Sequence, residues 1–287
     1  MRAAASLAAA VLSVALLPVS VEGFSVGSTA LTMAQGGAPL NCIVTGGSSG
    51  IGEAVCRALG SHGARVFVTG RQAENLERVA SAVDEAGGCA AFGTGDVAVE
   101  ADVTRLFSDA QRFFAAQGKG ASVDVLVTSA GIGRFGKIEE LSVSDFESSF
   151  DTNVKGTWLW ARAVLPHMKE TGKGQMVFVS SVAGLRKFAR CSVYGASKWA
   201  VQGIAGSLRE ECRGTGVKIA SLCPGSVATP WWLERDRGGK DIPATPEQLE
   251  KMLTVDDVAA ACMSIITQSK SADTESIVLE PPPAPMS

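Results

Sequence analysis

Between Leu40 and Leu279 the chain alternates short, unbroken apolar runs with longer stretches in which apolar residues recur every three or four positions. The runs are L-N-C-I-V-T (40–45), A-R-V-F-V-T (64–69), C-A-A-F-G-T-G-D-V (89–97), V-D-V-L-V-T-S (123–129), Q-M-V-F-V-S (175–180), V-K-I-A-S-L-C (217–223) and I-V-L (277–279). Helical spacing, as in Leu76, Val79, Ala80 and Val83, predicts helices over 51–62, 72–86, 99–117, about 144–169 and 192–213. A final helix is expected to run to about Gln268, with Thr254 as N-cap and Asp257 as its N3 acid. Runs without polar alternation predict strands covered on both faces, hence a parallel sheet in a single α/β domain over 40–280. Ligands of such sheets bind beyond the carboxyl ends of the strands, which here means after Thr45, Thr69, Asp96, Ser129, Ser180 and Cys223.

Composition narrows the partners. A net charge of −3 in 287 residues provides no basic field for nucleic acid, so the expected partner is a small molecule. The seven cysteines never fall as C-x-x-C, and His62 and His167 lie far apart. Buried free thiols are expected, with neither a disulfide framework nor a metal site.

The ends differ from the body. Met1-Arg2, the small and apolar run Ala3 to Leu17, and Val21-Glu22-Gly23 have the order of a signal-like leader over 1–23, too short for a stable membrane span. Phe24 to Pro39 is hydroxylated and free of acidic residues, as in two-part plastid leaders, but it also lacks Lys and Arg. A plastid address and the secretory pathway both stay open. The proline-rich tail 281–287 is expected to lie outside the fold.

The first strand ends in T-G-G-S-S-G-I-G at 45–52. Glycines there allow a tight turn and close approach of a pyrophosphate, which the following helix N-terminus would hold. Tyr194 and Lys198 are spaced to share one helix face. A free phenol titrates at roughly 10, and an adjacent ammonium is expected to lower that value toward useful acid–base work.

This turn spacing, Tyr194-x-x-x-Lys198, Ser181, Asn153 and P-G-S-V-A-T at 224–229 together resemble the classical short-chain dehydrogenase/reductase family, from Leu40 to about Pro281. The resemblance implies a doubly wound, Rossmann-type sheet of about seven strands, order 3-2-1-4-5-6-7, and hydride transfer between a nicotinamide and a carbonyl or hydroxyl group. It implies cofactor contacts from Thr45, Gly46, Ser48, Ser49, Gly50, Ile51 and Gly52 in the turn. Further contacts would come from Asp96 and Val97 at the adenine, Ala130 and Gly131, and Pro224, Gly225, Val227 and Thr229. Ser129 stands where relatives carry an asparagine that braces the sheet. Tyr194 would be the general acid/base, Lys198 would tune it and hold the ribose, Ser181 would hold the substrate oxygen, and Asn153 would brace a proton-relaying water. These last residues other than Ser181 also border the cofactor. Relatives that use NAD hold the ribose with an acidic residue after the second strand. Here Gly70 takes that place and Arg71 follows, so NADP(H) is expected over NAD(H).

Substrate walls are expected from Gly133-Arg134-Phe135-Gly136, from Val182 and the stretch L-R-K-F-A-R at 185–190, and from 229–241 with Trp231 and Trp232, a stretch that resembles the family's substrate lid. Arg186, Lys187 and Arg190 suit an acidic substrate or carrier, a solvated loop, or a subunit contact. Trp158, Trp160 and Trp199 are read as helix packing or part of an oligomer contact, with a homodimer or homotetramer expected. The leading function is an NADP(H)-dependent carbonyl reductase or alcohol dehydrogenase. A 3-oxoacyl-carrier-protein reductase is second, although the chain ends E-S-I-V-L-E-P-P-P where that branch ends in a V-D-G-G-like motif. A non-catalytic cofactor-binding scaffold is third.

Overall fold

Strand β1 (Asn41–Thr45) is buried at every residue, and its successive side chains enter two different cores. Cys42 and Val44 join one cluster, Ile43 the other. The same split recurs in β2 (Arg65–Gly70), β4 (Val125–Thr128), β5 (Gly174–Val179) and β6 (Val217–Pro224), which explains the unbroken apolar runs. The edge strands β3 (Cys89–Thr94) and β7 (Ser276–Leu279) are partly exposed. All pairings are parallel, in the order β3-β2-β1-β4-β5-β6-β7. The computed structural model describes residues 38–118, 120–232 and 244–282. The expectations for the leader 1–23, for 24–37, for the lid-like stretch from 233 to 241 and for the tail beyond 282 fall outside these residues.

One face of the sheet is covered by α1 (Gly50–Ser61), α2 (Ala73–Glu85) and α8 (Val255–Ile266). The other is covered by α3 (Glu100–Ala116), α5 (Gly156–Thr171) and α6 (Ser192–Glu211). Trp160 and Phe178 are fully buried in this second core, and burying a side chain of that size contributes ~3 kcal/mol. No helix among the described residues is long and apolar enough to cross a membrane. All seven cysteines are free, and all but Cys89 are buried.

Two elements depart from the sequence expectation. The long helix expected over 144–169 is three pieces in continuous chain: α4 (Val143–Phe150), a π-helical stretch at Asp151–Lys155, and α5. Its start is set by Ser142, which accepts from Asp145 N at 3.1 Å while the Asp145 carboxylate accepts from Ser142 N at 3.0 Å. A short α7 (Pro246–Leu249), with Thr245 as cap, was not expected. Of the three tryptophans read as helix packing or oligomer contact, Trp160 is core, while Trp158 and Trp199 are each 47% exposed.

Candidate active site

In the sheet order, β1 lies between β2 and β4, so the crossovers run away from it on opposite sides and leave a crevice at its carboxyl end. The turn after β1 builds the floor of that crevice. Gly46 sits at φ +64°, and a Cβ there would lie 2.6 Å from Ala130 Cα, so turn and β4 loop meet only because the side chain is missing. Gly46, Ser48, Ser49, Gly50 and Ile51 line a cleft of about 430 Å³. Thr45 and Gly52 stand behind them. The Thr45 hydroxyl accepts from Ala130 N at 3.3 Å, and Gly52 lets α1 close on the turn, since an added Cβ would lie 2.3 Å from Gly46 O. Thr45 thereby braces the β4 loop just after Ser129.

Arg71 lines the cleft at the end of β2. A Cβ added at Gly70 would lie 3.2 Å from Leu76 Cδ2 and 3.4 Å from Ser48 Oγ, a close fit, and no carboxylate stands at this position. Nearby Arg78 is held by Glu53 at 2.6 and 2.8 Å. Asp96 and Val97 follow β3, and Ala130 and Gly131 follow β4, all on the cleft wall. Pro224, Gly225, Val227 and Thr229 close it from the end of β6. A glycine floor, a helix N-terminus, Arg71 on the wall and a run of apolar wall after β3 fit a nicotinamide dinucleotide.

Ser181 terminates β5. Its hydroxyl donates to Pro224 O at 3.4 Å, accepts from Ala183 N at 3.1 Å, and is hydrogen-bonded to the Tyr194 phenol. Lys198, one turn along α6, is buried, and its ammonium donates to Val179 O at 2.9 Å. It also lies 5.7 Å from the centre of the Tyr194 ring. Ser180 donates from its hydroxyl to Lys198 O at 3.2 Å, tying β5 to α6.

Asn153 does not line the cleft. Its carboxamide oxygen accepts from Ile132 N at 2.9 Å, and its Nδ2 donates to Ile132 O at 2.8 Å and to Ser197 Oγ at 2.9 Å. Ser197 in turn donates to Tyr194 O at 2.7 Å. The asparagine thus clamps the β4 loop to the turn of α6 that carries Tyr194. The π-helical stretch supplies the extra residue that turns Asn153 inward. Its oxygen and the Lys198 nitrogen both border Gly131, 3.3 and 3.6 Å from where a Cβ would be.

The expected lowering of the phenol is reversed. Burial pushes Tyr194 up to about 12, more than its bond to Ser181 holds it down. Burial also depresses Lys198 to about 8, against a smaller raising effect of Cys223. The cause is the cover supplied by Phe135 and Trp231, whose rings lie 5.1 and 6.0 Å from that of Tyr194. At neutral pH the phenol is protonated.

Phe135, Val182, Trp231 and Trp232 reach the cleft as expected. Arg134 does not: its Nε meets Asp145 at 3.2 Å and Nη1 donates to Gly133 O at 3.0 Å, which turns the guanidinium away. Arg190 holds the two substrate loops together. Its left-handed backbone (φ 62°) presents its carbonyl to Gly136 N at 2.9 Å, and its side chain lies 3.5 Å from Glu140. Phe188, within the expected wall 185–190, and Ser180 also line the cleft, and Ser197 was missed. Its signal was its place inside Y-G-A-S-K.

The comparisons agree with this geometry. The family described as short chain dehydrogenase matches residues 41–238. An uncharacterized oxidoreductase of Staphylococcus aureus is 32% identical over 240 residues, 83% of this chain and 96% of that protein. The alcohol dehydrogenase of the archaeon Thermococcus sibiricus, complexed with 5-hydroxy-NADP, superposes with a TM-score of 0.75 at 27% identity, covering 87% of this chain and all (100%) of that one. A variant actinorhodin polyketide ketoreductase with NADPH gives 0.75 at 28% identity, covering 84% and 95%. Fold, glycine turn and the Ser181–Tyr194–Lys198 cluster converge with these matches: the chain is an oxidoreductase of the short-chain dehydrogenase/reductase family.

Proposed function

We propose that the protein is an NADP(H)-dependent carbonyl reductase or alcohol dehydrogenase acting on a small organic substrate. The observation that carries this reading is the Tyr194 phenol, hydrogen-bonded to Ser181 and backed by buried Lys198, at the end of a dinucleotide-shaped cleft. The bound dinucleotide supplies the hydride. Ser181 and Tyr194 together receive the carbonyl oxygen, Tyr194 transfers its proton there, and Lys198 stabilises the phenolate left behind. Asn153 keeps the β4 loop and α6 in register, and Phe135 and Trp231 exclude water from the reacting oxygen.

NADP(H) over NAD(H) rests on Arg71 in the lining beside Gly70, where no carboxylate stands, and is supported by relatives of known structure that carry NADP or NADPH. The 3-oxoacyl-carrier-protein alternative needs cations for an acidic carrier. Two of the three candidates are engaged: Arg186 by Glu280 at 2.6 and 3.2 Å, and Arg190 by Glu140. That favours a free small molecule. The scaffold reading has no use for a buried lysine behind a tyrosine. A homodimer or homotetramer is proposed from the exposed Trp158 and Trp199, and the plastid or secretory address remains a proposal from the leader alone. The deciding experiment is NADPH oxidation across a carbonyl panel that includes acetoacetyl thioesters, with Tyr194→Phe as control. Turnover of thioesters alone promotes the carrier-protein reading, and none at all revives the scaffold.

A further inference from the structure

The substrate end of the cleft has an unusual wall. The rings of Phe135, Tyr194 and Trp231 are mutual neighbours, with centroid separations of 5.1, 5.6 and 6.0 Å, and Trp232 meets Trp231 edge-on at 4.8 Å. The Trp232 indole nitrogen donates to Val227 O at 2.8 Å, which anchors the pair. A Cβ at Gly133 would lie 2.4 Å from Trp231 Cζ2 and 2.5 Å from Phe135 Cε2, so the rings rest directly on bare backbone. Rings that touch one another leave no central hole for a rounded cation. They form a continuous surface that complements a flat partner through stacked or edge-to-face contact.

Charge is missing from the same end. Among the described residues, the only acidic or basic side chains lining the cleft are Arg71 and Asp96, after β2 and β3, and Lys198. Arg134, Arg186 and Arg190 are turned onto Asp145, Glu280 and Glu140. Among the described residues, a carboxylate or phosphate held against these rings would find no cation but Lys198, whose ammonium already donates to Val179 O at 2.9 Å, and desolvating an anion there is unfavourable.

Resting on the reductase reading above, we propose that the substrate class is an uncharged ketone carried on a flat ring, with Trp231 and Phe135 as the specificity-determining residues. The ring lies against Phe135 and Trp231, and the carbonyl oxygen meets Ser181 and Tyr194. The carbonyl carbon gains the hydride of the reduced nicotinamide, the oxygen gains the Tyr194 proton, and the C=O π bond breaks as C–H and O–H bonds form. The ketone is reduced to a secondary alcohol and the dinucleotide is oxidised.

The test measures kcat/KM of the full chain with NADPH for acetophenone, for methyl hexyl ketone of equal carbon number, and for para-acetylbenzoate. Acetophenone should exceed methyl hexyl ketone by about tenfold or more, and para-acetylbenzoate by about a hundredfold or more. Trp231→Ala should bring the first ratio close to unity through KM, whereas Trp231→Phe keeps most of it, which separates lost selectivity from lost folding. Equal use of the open-chain ketone, faster use of the acid, or turnover of acetoacetyl thioester alone overturns the ring assignment and leaves a reductase. No NADPH oxidation with any of these carbonyls overturns both.

Discussion

The carboxamide of Asn153 donates to the hydroxyl of Ser197 across 2.9 Å, and that hydroxyl donates to the carbonyl of Tyr194 across 2.7 Å. A residue outside the cleft therefore sets the pitch of the catalytic turn. Asn153→Ala leaves the buried N–H of Ile132 without its partner and should cost about 2–3 kcal/mol of stability. Ser197→Ala should cost about 1 kcal/mol. Urea titration of both singles and the double tests the clamp: strictly additive losses would show that the two side chains act independently.

Removing the Tyr194 hydroxyl leaves the ring stack in place and takes away the proton. In Tyr194→Phe, kcat should fall by about 10²–10⁴, while NADPH titration by fluorescence gives an affinity close to that of the parent. A variant with full turnover would disprove the assignment of the proton to this phenol.

Lys198 gives a stability signature of definite sign. Its folded value of about 8 lies below the 10.5 of an ordinary lysine. Below about 8 both states are protonated and folding bears the cost of burying a cation. Between there and the ordinary value the folded state has released its proton and the unfolded state has not, so stability rises with pH. Tyr194, raised from 10.0 to about 12, acts in the opposite sense above its ordinary value and ends the rise. Lys198→Met should be more stable than the parent at neutral pH by up to about 3 kcal/mol, and should lack the rise. Denaturant midpoints across alkaline pH, without cofactor, decide this, and a parent curve that falls through the same range contradicts it.

Cofactor choice is tested at Arg71. Loss of a guanidinium facing a 2′-phosphate removes a charge-assisted bond that NAD(H) never makes. Arg71→Ala should weaken NADPH binding by about tenfold or more and change NADH binding little. Equal loss for both would place Arg71 elsewhere than at the 2′-phosphate.

The proposed assembly is tested at the exposed tryptophans of α5 and α6. Light scattering should report a dimer or tetramer for the parent and a lighter species for the Trp158→Glu, Trp199→Glu double variant. A parent that elutes as a monomer at high concentration removes the proposal.

Much of this was legible because it is local. Apolar runs such as I-V-T at 43–45 and V-F-V at 177–179 mark strands buried on both sides, and the Thr254–Asp257 cap appears as read. The missed α7 had its signals, a cap and a proline in T-P-E-Q, but four residues carry no periodicity. Other features are long-range. D-T-N-V-K has no composition that separates a π turn from an α turn; its shape follows from bonds to Ile132 and Ser197, 21 and 44 residues away. The raised phenol depends on rings from two other loops. Adjacent Arg134 and Phe135 point to opposite sides of one loop, a choice made by Asp145 and by the bare backbone at Gly133.

The thiols of Cys42, Cys56 and Cys262 lie in one cluster between β1, α1 and α8, fully covered, and burial raises each well above the usual thiol range. A thiolate-seeking reagent reaches them only when that part of the core opens. The folded enzyme therefore carries an internal clock: the rate at which these sulfurs become alkylated counts openings of the sheet directly beneath the cofactor floor, and a ligand that settles on that floor should slow the count.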